Sequence, residues 1–172
     1  DPEEHEDFDR QFDRALSKEA LFSVQNKAGI IRSVEEKLKP GGLFLMTDYV
    51  VANESVYAKD TYKQWRVGEH VNPCPNTADE MKKMLKDVKL QVRVSEDISD
   101  DYIKLINRAW AGADKVAAKL AKEENGAALI QTLMREAEFW SRRKRMLESG
   151  DLRLWRFVAN KKASLATGMS DW

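Results

Sequence analysis

The chain has 172 residues, and its 29 Lys and Arg balance 29 Asp and Glu to a formal net charge of zero. That length fits one domain able to bury about 70% of its unfolded surface, and neutrality argues against a nucleic-acid partner, whose reader would carry a basic stripe. Cys74 is the single cysteine, which excludes an internal disulfide and suits a cytoplasmic location, and with no apolar run of membrane-spanning length no membrane partner is expected.

Residues 1–11 are acidic and polar and are expected to be a frayed lead-in. The sequence opens at Asp1-Pro2 rather than at Met, which predicts a piece of a longer polypeptide. Phe12 to Leu16 is weakly strand-like, and Glu19 follows it. Ile30, Ile31, Val34 and Leu38 fall at three- and four-residue spacing, so 23–38 reads as a helix with one apolar stripe. Pro40 stops it, and Gly41-Gly42 supply the freedom for a tight reversal. Leu43 to Met46 is a short apolar run, the pattern of a strand buried on both faces, and it ends on Thr47, Asp48 and Tyr49. Ligands of open α/β sheets sit beyond the carboxyl ends of parallel strands, which makes Asp48 and Tyr49 the first site candidates.

Residues 52–76 are polar and aromatic, with Tyr57, Tyr62 and Trp65 at helix-compatible intervals. Trp65 and Glu69 stand four residues apart. Such a pair either holds an ammonium group, by cation–π and ionic attraction, or packs a helix onto the domain. Pro73-Cys74-Pro75-Asn76 is a rigid turn, and Thr77 with Glu80 makes a capping box for a helix whose stripe is Met81, Met84 and Leu85. Leu90 to Val94 alternates as a half-exposed strand, and Asp97 after it is either a site residue or a local cap. The stretch 102–124 reads as one long helix, broken by Asn125-Gly126, and 127–148 as a second. The second carries Arg142-Arg143-Lys144-Arg145, either a solvated helix face or a phosphate-capturing run. Leu152 to Val158 forms the last strand, and the tail 163–172 is expected to be flexible.

Several of these segments fall in a known order. Leu38-Lys39-Pro40-Gly41-Gly42 before a strand resembles the turn preceding the fifth strand of class I S-adenosylmethionine-dependent methyltransferases. Phe12 to Leu21 resembles that family's fourth strand and acidic turn; Asp48-Tyr49, Glu96-Asp97-Ile98-Ser99 and Trp155 to Lys161 follow in sequence. The order is most similar to the branch that methylates phosphoethanolamine, glycine, sarcosine and related amines, and it covers roughly 12–162. Ser23 stands where that branch commonly has a His.

The resemblance implies the C-terminal portion of a Rossmann-like α/β methyltransferase domain. Its mixed sheet would run in the family's order fourth, fifth, seventh, sixth, with the last strand antiparallel and long helices on one face. It implies methyl transfer from the cofactor S-adenosylmethionine to a small polar acceptor, an amine in that branch. Asp48, Tyr49 and Asp97 would lie near the transferred proton, Tyr62, Trp65 and Glu69 around the acceptor, and Glu19 near the cofactor. The glycines stand at 29, 41, 42, 68, 112, 126, 150 and 168, so no Gly-x-Gly turn is present and the cofactor-binding half is expected to be absent. A chain lacking that half would expose a sheet edge and self-associate, and the alternative reading is a non-catalytic interaction domain. No metal site is expected, since His5, His70 and Cys74 are isolated.

Overall fold

A computed structural model describes residues 10–163, which leaves most of the expected lead-in and tail outside the described residues. Four strands form one sheet: β1 (Phe12–Lys18), β2 (Leu38–Val51), β3 (Gln91–Asp97) and β4 (Leu152–Asn160), ordered β1-β2-β4-β3. β1 runs parallel to β2, and β4 lies antiparallel between β2 and β3. This is the order that the resemblance implied. Six helices complete the described chain: α1 (Lys27–Lys37), α2 (Asp60–Val67), α3 (Ala78–Asp87), α4 (Ser99–Trp110), α5 (Ala113–Leu120) and α6 (Gly126–Glu148).

β2 organises both layers. Residues of one parity, Phe44, Met46 and Val50, join Ile31 of α1, Met81 and Leu85 of α3, and Phe157 and Ala159 of β4 in one core. Residues of the other parity, Tyr49 and Val51, join Leu152 and Leu154 with Tyr62 and Trp65 of α2, Ile106 of α4 and Met146 and Leu147 of α6 in a second. The alternation is the period-2 geometry of a strand. Only the carboxyl half of β2 is covered on both sides. Leu43 and Leu45, expected to be buried, are exposed, and Leu45 lies opposite Leu16 of β1, which is 74% exposed. The apolar run therefore marks a strand buried on one face there, because the second helical layer reaches only from Tyr49 onward.

The Pro-Gly-Gly turn is a bulge inside β2 rather than a loop before it. Asp13 alone stands against Lys39, Pro40, Gly41 and Gly42 between the pairs Phe12–Leu38 and Arg14–Leu43. Gly41 has φ +80°, a conformation open to glycine, and a Cβ on Gly42 would meet the Lys39 carbonyl oxygen at 2.8 Å. Two other boundaries move. The first helix begins at Lys27, four residues later than expected, because the Asn26 side chain accepts from Gly29 N and a 3-10 turn fills Leu21–Ser23. The helix expected over 102–124 is two, α4 and α5, separated at Ala111-Gly112, where glycine costs the helix about 1 kcal/mol relative to alanine.

The capping box at α3 is present in both directions: the Thr77 hydroxyl accepts from Glu80 N, and the Glu80 carboxylate accepts from Thr77 N at 2.7 Å. Thr77→Ala is expected to destabilise the protein by about 1 kcal/mol, lowering Tm by roughly 2–4 °C in a thermal melt. An unchanged Tm would mean that α3 is held by packing alone.

Candidate functional site

The parallel strands β1 and β2 end side by side, and their carboxyl ends bring together groups from four elements. Glu19, just past β1, adopts φ +47°, and its N–H donates to the Thr47 carbonyl at 2.7 Å. This turn directs its carboxylate across the end of β2, where Oε1 accepts from the Thr47 hydroxyl at 3.2 Å. Tyr49 of β2 donates its hydroxyl hydrogen to the hydroxyl of Tyr102, in the first turn of α4, at 3.0 Å, and the Glu19 carboxylate lies near enough to help raise the Tyr102 pKa. Burial raises the pKa of both phenols, so each remains a neutral hydroxyl at physiological pH.

Behind the phenols lies a buried cation. The Arg143 guanidinium is ringed by Phe139 at 4.6 Å, Tyr49 at 4.9 Å, Trp140 at 5.2 Å and Phe22 at 5.8 Å. The Glu69 carboxylate closes the box with two hydrogen bonds, one from Arg143 Nε at 3.0 Å and a short one from Nη2. Burial works against this charge, but the bonds it donates to Glu69 and Tyr49 hold the guanidinium pKa above its ordinary value. An aromatic box with a carboxylate is the usual receptor for an organic cation. Here a residue of the same chain fills it.

No protein-family profile matches the chain. Among curated proteins it is 25% identical over 120 residues to phosphoethanolamine N-methyltransferase 3 of Arabidopsis thaliana, covering 62% of this chain and 21% of that protein. Among solved structures it superposes on phosphoethanolamine N-methyltransferase 2 of Haemonchus contortus in complex with S-adenosyl-L-methionine with a TM-score of 0.62. That match has 18% identity and covers 89% of this chain and 34% of the other. It also superposes on a cyclopropane synthase of Mycobacterium tuberculosis with a TM-score of 0.73 at 11% identity, covering 90% of this chain and 57% of that one. The chain has the class I methyltransferase fold. It spans about a fifth of the curated relative and from about a third to over half of these solved chains.

Within this methyltransferase fold the expected site residues separate. Glu19 and Tyr49 meet at the strand ends. Asp48 is buried on the other face, in register with Met46 and Val50; its Oδ1 accepts from Tyr49 N and its Oδ2 has no partner. Burial pushes the Asp48 carboxyl up to about 7, against the pull of the Phe22 and Tyr49 backbone N–H groups and of Lys27. Asp97 is placed two strands from Asp48, with Trp155 between them in the register. Just before the N-cap of α4 it accepts from Ser99 N and Oγ, and it pairs with Arg153 at 2.6 Å. Its pKa lies below the usual range because these bonds outweigh its partial burial.

Tyr62 and Trp65 are packed into the second core. Glu69 does not extend the Trp65 face, since α2 ends at Val67, and it faces Arg143 instead. The basic run does not act as a unit. Arg143 is enclosed, Arg142 bonds to Glu138 and to the Gly68 carbonyl, Lys144 pairs with Glu148, and Arg145 is exposed. Among the described residues no group of three or more His, Cys, Asp or Glu is placed to hold a metal.

Sequence reading passed over Tyr102 and Arg143. Tyr102 looked like an ordinary first-turn residue of a helix. Arg143 was hidden within the basic run, although Phe139 and Trp140, four and three residues earlier, put two rings on its helical face.

Asp48 gives a pH signature. Its folded pKa, about 7, is above its unfolded value, so the folded state holds the proton more tightly. Stability therefore falls as pH rises from about 4 to 7, and the full cost, at most about 4 kcal/mol, is present above 7. Asp48→Asn is expected to raise Tm at pH 8 and to lose that advantage below pH 4. A difference independent of pH in parallel melts would show that Asp48 is not held protonated.

Proposed function

We propose that the chain is part of an S-adenosylmethionine-dependent methyltransferase that acts on a small polar acceptor, an amine, in the cytoplasm. The observation that carries this reading is the convergence of Glu19 with two neutral phenols at the carboxyl ends of β1 and β2, on a fold shared with methyltransferases. The curated relative is by name an enzyme of this kind, and the Haemonchus enzyme has also been solved with phosphomonomethylethanolamine and S-adenosylhomocysteine. The single cysteine, Cys74, and the absence of any described helix long and apolar enough to cross a membrane are compatible with the location.

The reaction class is an in-line displacement in which most of the catalysis can come from positioning. An amine must lose a proton to attack, and Glu19 is the carboxylate placed to take it. Tyr49 and Tyr102 stay neutral and can orient an acceptor or Glu19 but not serve as bases. Asp48, with its carboxyl on the opposite face, supports the strand end rather than meeting the acceptor. Tyr62 and Trp65 then act by packing the wall of the site, and Asp97 by fixing the start of α4.

The residues present do not make the cofactor's cradle. No Gly-x-Gly turn follows a strand, and Gly41 and Gly42 lie in a bulge at the far end of β2 from Glu19. In this proposal that cradle belongs to the part of its relatives that the chain does not span. Two outcomes follow. The 172-residue chain should bind S-adenosylmethionine no better than millimolar in calorimetric titration, since each lost charge-assisted hydrogen bond costs roughly 1.5–3 kcal/mol. In the full-length protein, Glu19→Gln should lower kcat for an amine acceptor by on the order of a hundredfold. Micromolar binding by the chain alone, or an unaffected kcat, would remove the corresponding half of the proposal.

A second reading has its own observation. Leu16, Leu43 and Leu45 leave an apolar patch on the half of the sheet that no described helix covers, beside the open edge of β1. Such surfaces favour association with another chain. The chain is expected to run in light scattering above its 19.8 kDa monomer mass, and Leu16→Lys with Leu45→Lys to return it toward that mass. A monomeric parent chain would exclude self-association through this patch.

A further inference from the structure

Two cations of the basic run on α6, Arg142 and Arg145, line a cavity of about 330 Å³ between α2 and α6. That volume lies within the range of small-molecule sites. Helix α2 lines it with Thr61, Gln64 and Trp65, and α6 with Arg142, Arg145 and Met146. Each set stands at i, i+3 and i+4, so each helix presents one face to the cavity. Arg143 and Lys144 serve elsewhere, Arg143 in its aromatic box and Lys144 against Glu148. None of Glu19, Thr47, Tyr49 or Tyr102 lines the cavity, which is separate from the strand-end site.

The walls hold donors that the protein itself does not satisfy. Trp65 is 2% exposed, and its indole Nε1 has no hydrogen-bond acceptor. Arg142 Nη1 donates to Glu138 and Nη2 to the Gly68 carbonyl, but its buried Nε has no partner. Arg145 is exposed and pairs with no carboxylate among the described residues; its Nε donates to the Ser141 carbonyl at 3.4 Å. Indole and guanidinium groups only donate, and buried donors in native structures almost always find an acceptor. The carboxylate on the wall, Asp151, is paired with Lys59 at 2.7 Å. Among the lining residues and their ion-pair partners, Arg142, Arg145 and Lys59 stand against Glu138 and Asp151, which leaves one positive charge over.

We propose that this cavity binds a phosphate group, free or carried by a small molecule, and that the group bridges α2 and α6. A phosphate brings the missing negative charge and acceptor oxygens in several directions. The donors come from two packed helices, a spread that a tetrahedral oxyanion meets better than a planar carboxylate. Trp65 and Met146 also belong to the second core, so the bound group ties the outer faces of both helices to the layer covering Tyr49. The proposal stands apart from the methyl-transfer reading, since no residue of the strand-end site takes part.

The test follows the Trp65 indole N–H by NMR in the tryptophan-labelled full-length protein, with Trp65→Phe to assign the signal. Inorganic phosphate, phenyl phosphate and acetate are titrated in parallel at constant ionic strength. Calorimetry measures the same affinities, which keeps the test valid where Trp65→Phe does not fold. The Trp65 signal is expected to move downfield and saturate at millimolar phosphate. Arg145→Gln, at an exposed position, should weaken phosphate binding by on the order of tenfold, because a charge-assisted bond is lost. Acetate should bind more weakly than phosphate. Tighter binding of phenyl phosphate assigns the site to a small phosphomonoester, and equal binding assigns it to the free ion; both support the proposal. A Trp65 signal that never saturates, or that chloride moves equally, would overturn it. So would a phosphate affinity that ignores Arg145→Gln, or acetate binding as tightly as phosphate.

Discussion

A guanidinium cannot be buried without partners, and the second layer of this protein is built around satisfying Arg143. Its carboxylate comes from Glu69 past the end of α2, and its rings from the 3-10 turn (Phe22), β2 (Tyr49) and α6 (Phe139, Trp140). Removing one member of a buried pair costs roughly 3–5 kcal/mol, because the other charge is left stranded. The pair therefore fixes where α6 crosses the sheet and how the segment after α2 returns to it. Apolar packing alone would tolerate sliding of α6 along its stripe; a bidentate bond at one point does not.

The position of α6 in turn decides which part of β2 is double-sided. From Tyr49 to Val51 the strand is covered on both faces, while at Leu43 and Leu45 it is covered on one. The transition falls at Thr47 and Asp48, next to the end of β1. Polar groups at such a boundary are either satisfied or available, and both kinds occur here. Asp48 turns inward and burial raises its pKa to about 7, while Glu19 and Thr47 remain half-buried and bonded to each other. A residue pair read as one motif, Asp48-Tyr49, is thus divided between the two cores by strand alternation.

How far the sequence spoke can be followed element by element. The start of helix α3 was legible to the residue, because the capping box at Thr77 fixes it and the three–four stripe of Met81, Met84 and Leu85 follows. β4 was legible in its own apolar pattern, but the strand order came through the resemblance, since nothing in the periodicity of Leu152 to Val158 says which neighbours it pairs with. β1 was barely visible, because an edge strand buries little and Asp13, Arg14 and Lys18 hide it. The bulge at Pro40 to Gly42 read as a turn, since positive φ and a missing donor occur in both. The candidate site was legible as far as Glu19 and Tyr49, which the sequence put near the carboxyl ends of neighbouring strands. It was not legible at Arg143, whose partners come from residues 22, 49 and 69, and no local pattern records contacts at that separation.

The turn from Glu19 to Lys27 joins the two layers, and its own fixings explain why the site lies there. Lys27 is buried, and its ammonium donates to the Val24 carbonyl at 2.8 Å and to the Cys74 carbonyl at 2.6 Å. Cys74 N donates to the Phe22 carbonyl at 2.7 Å. The rigid Pro73 to Pro75 segment thus supports the turn from beneath, and Lys27 spends its three donors on keeping it there. Held so, the turn does two things that a mobile loop could not. It presents the Phe22 ring to Arg143, and it keeps Glu19 at a positive φ whose strain is offset by the bond to Thr47. The buried charge on α6 and the half-buried carboxylate at the strand end are therefore coupled by the backbone of this turn.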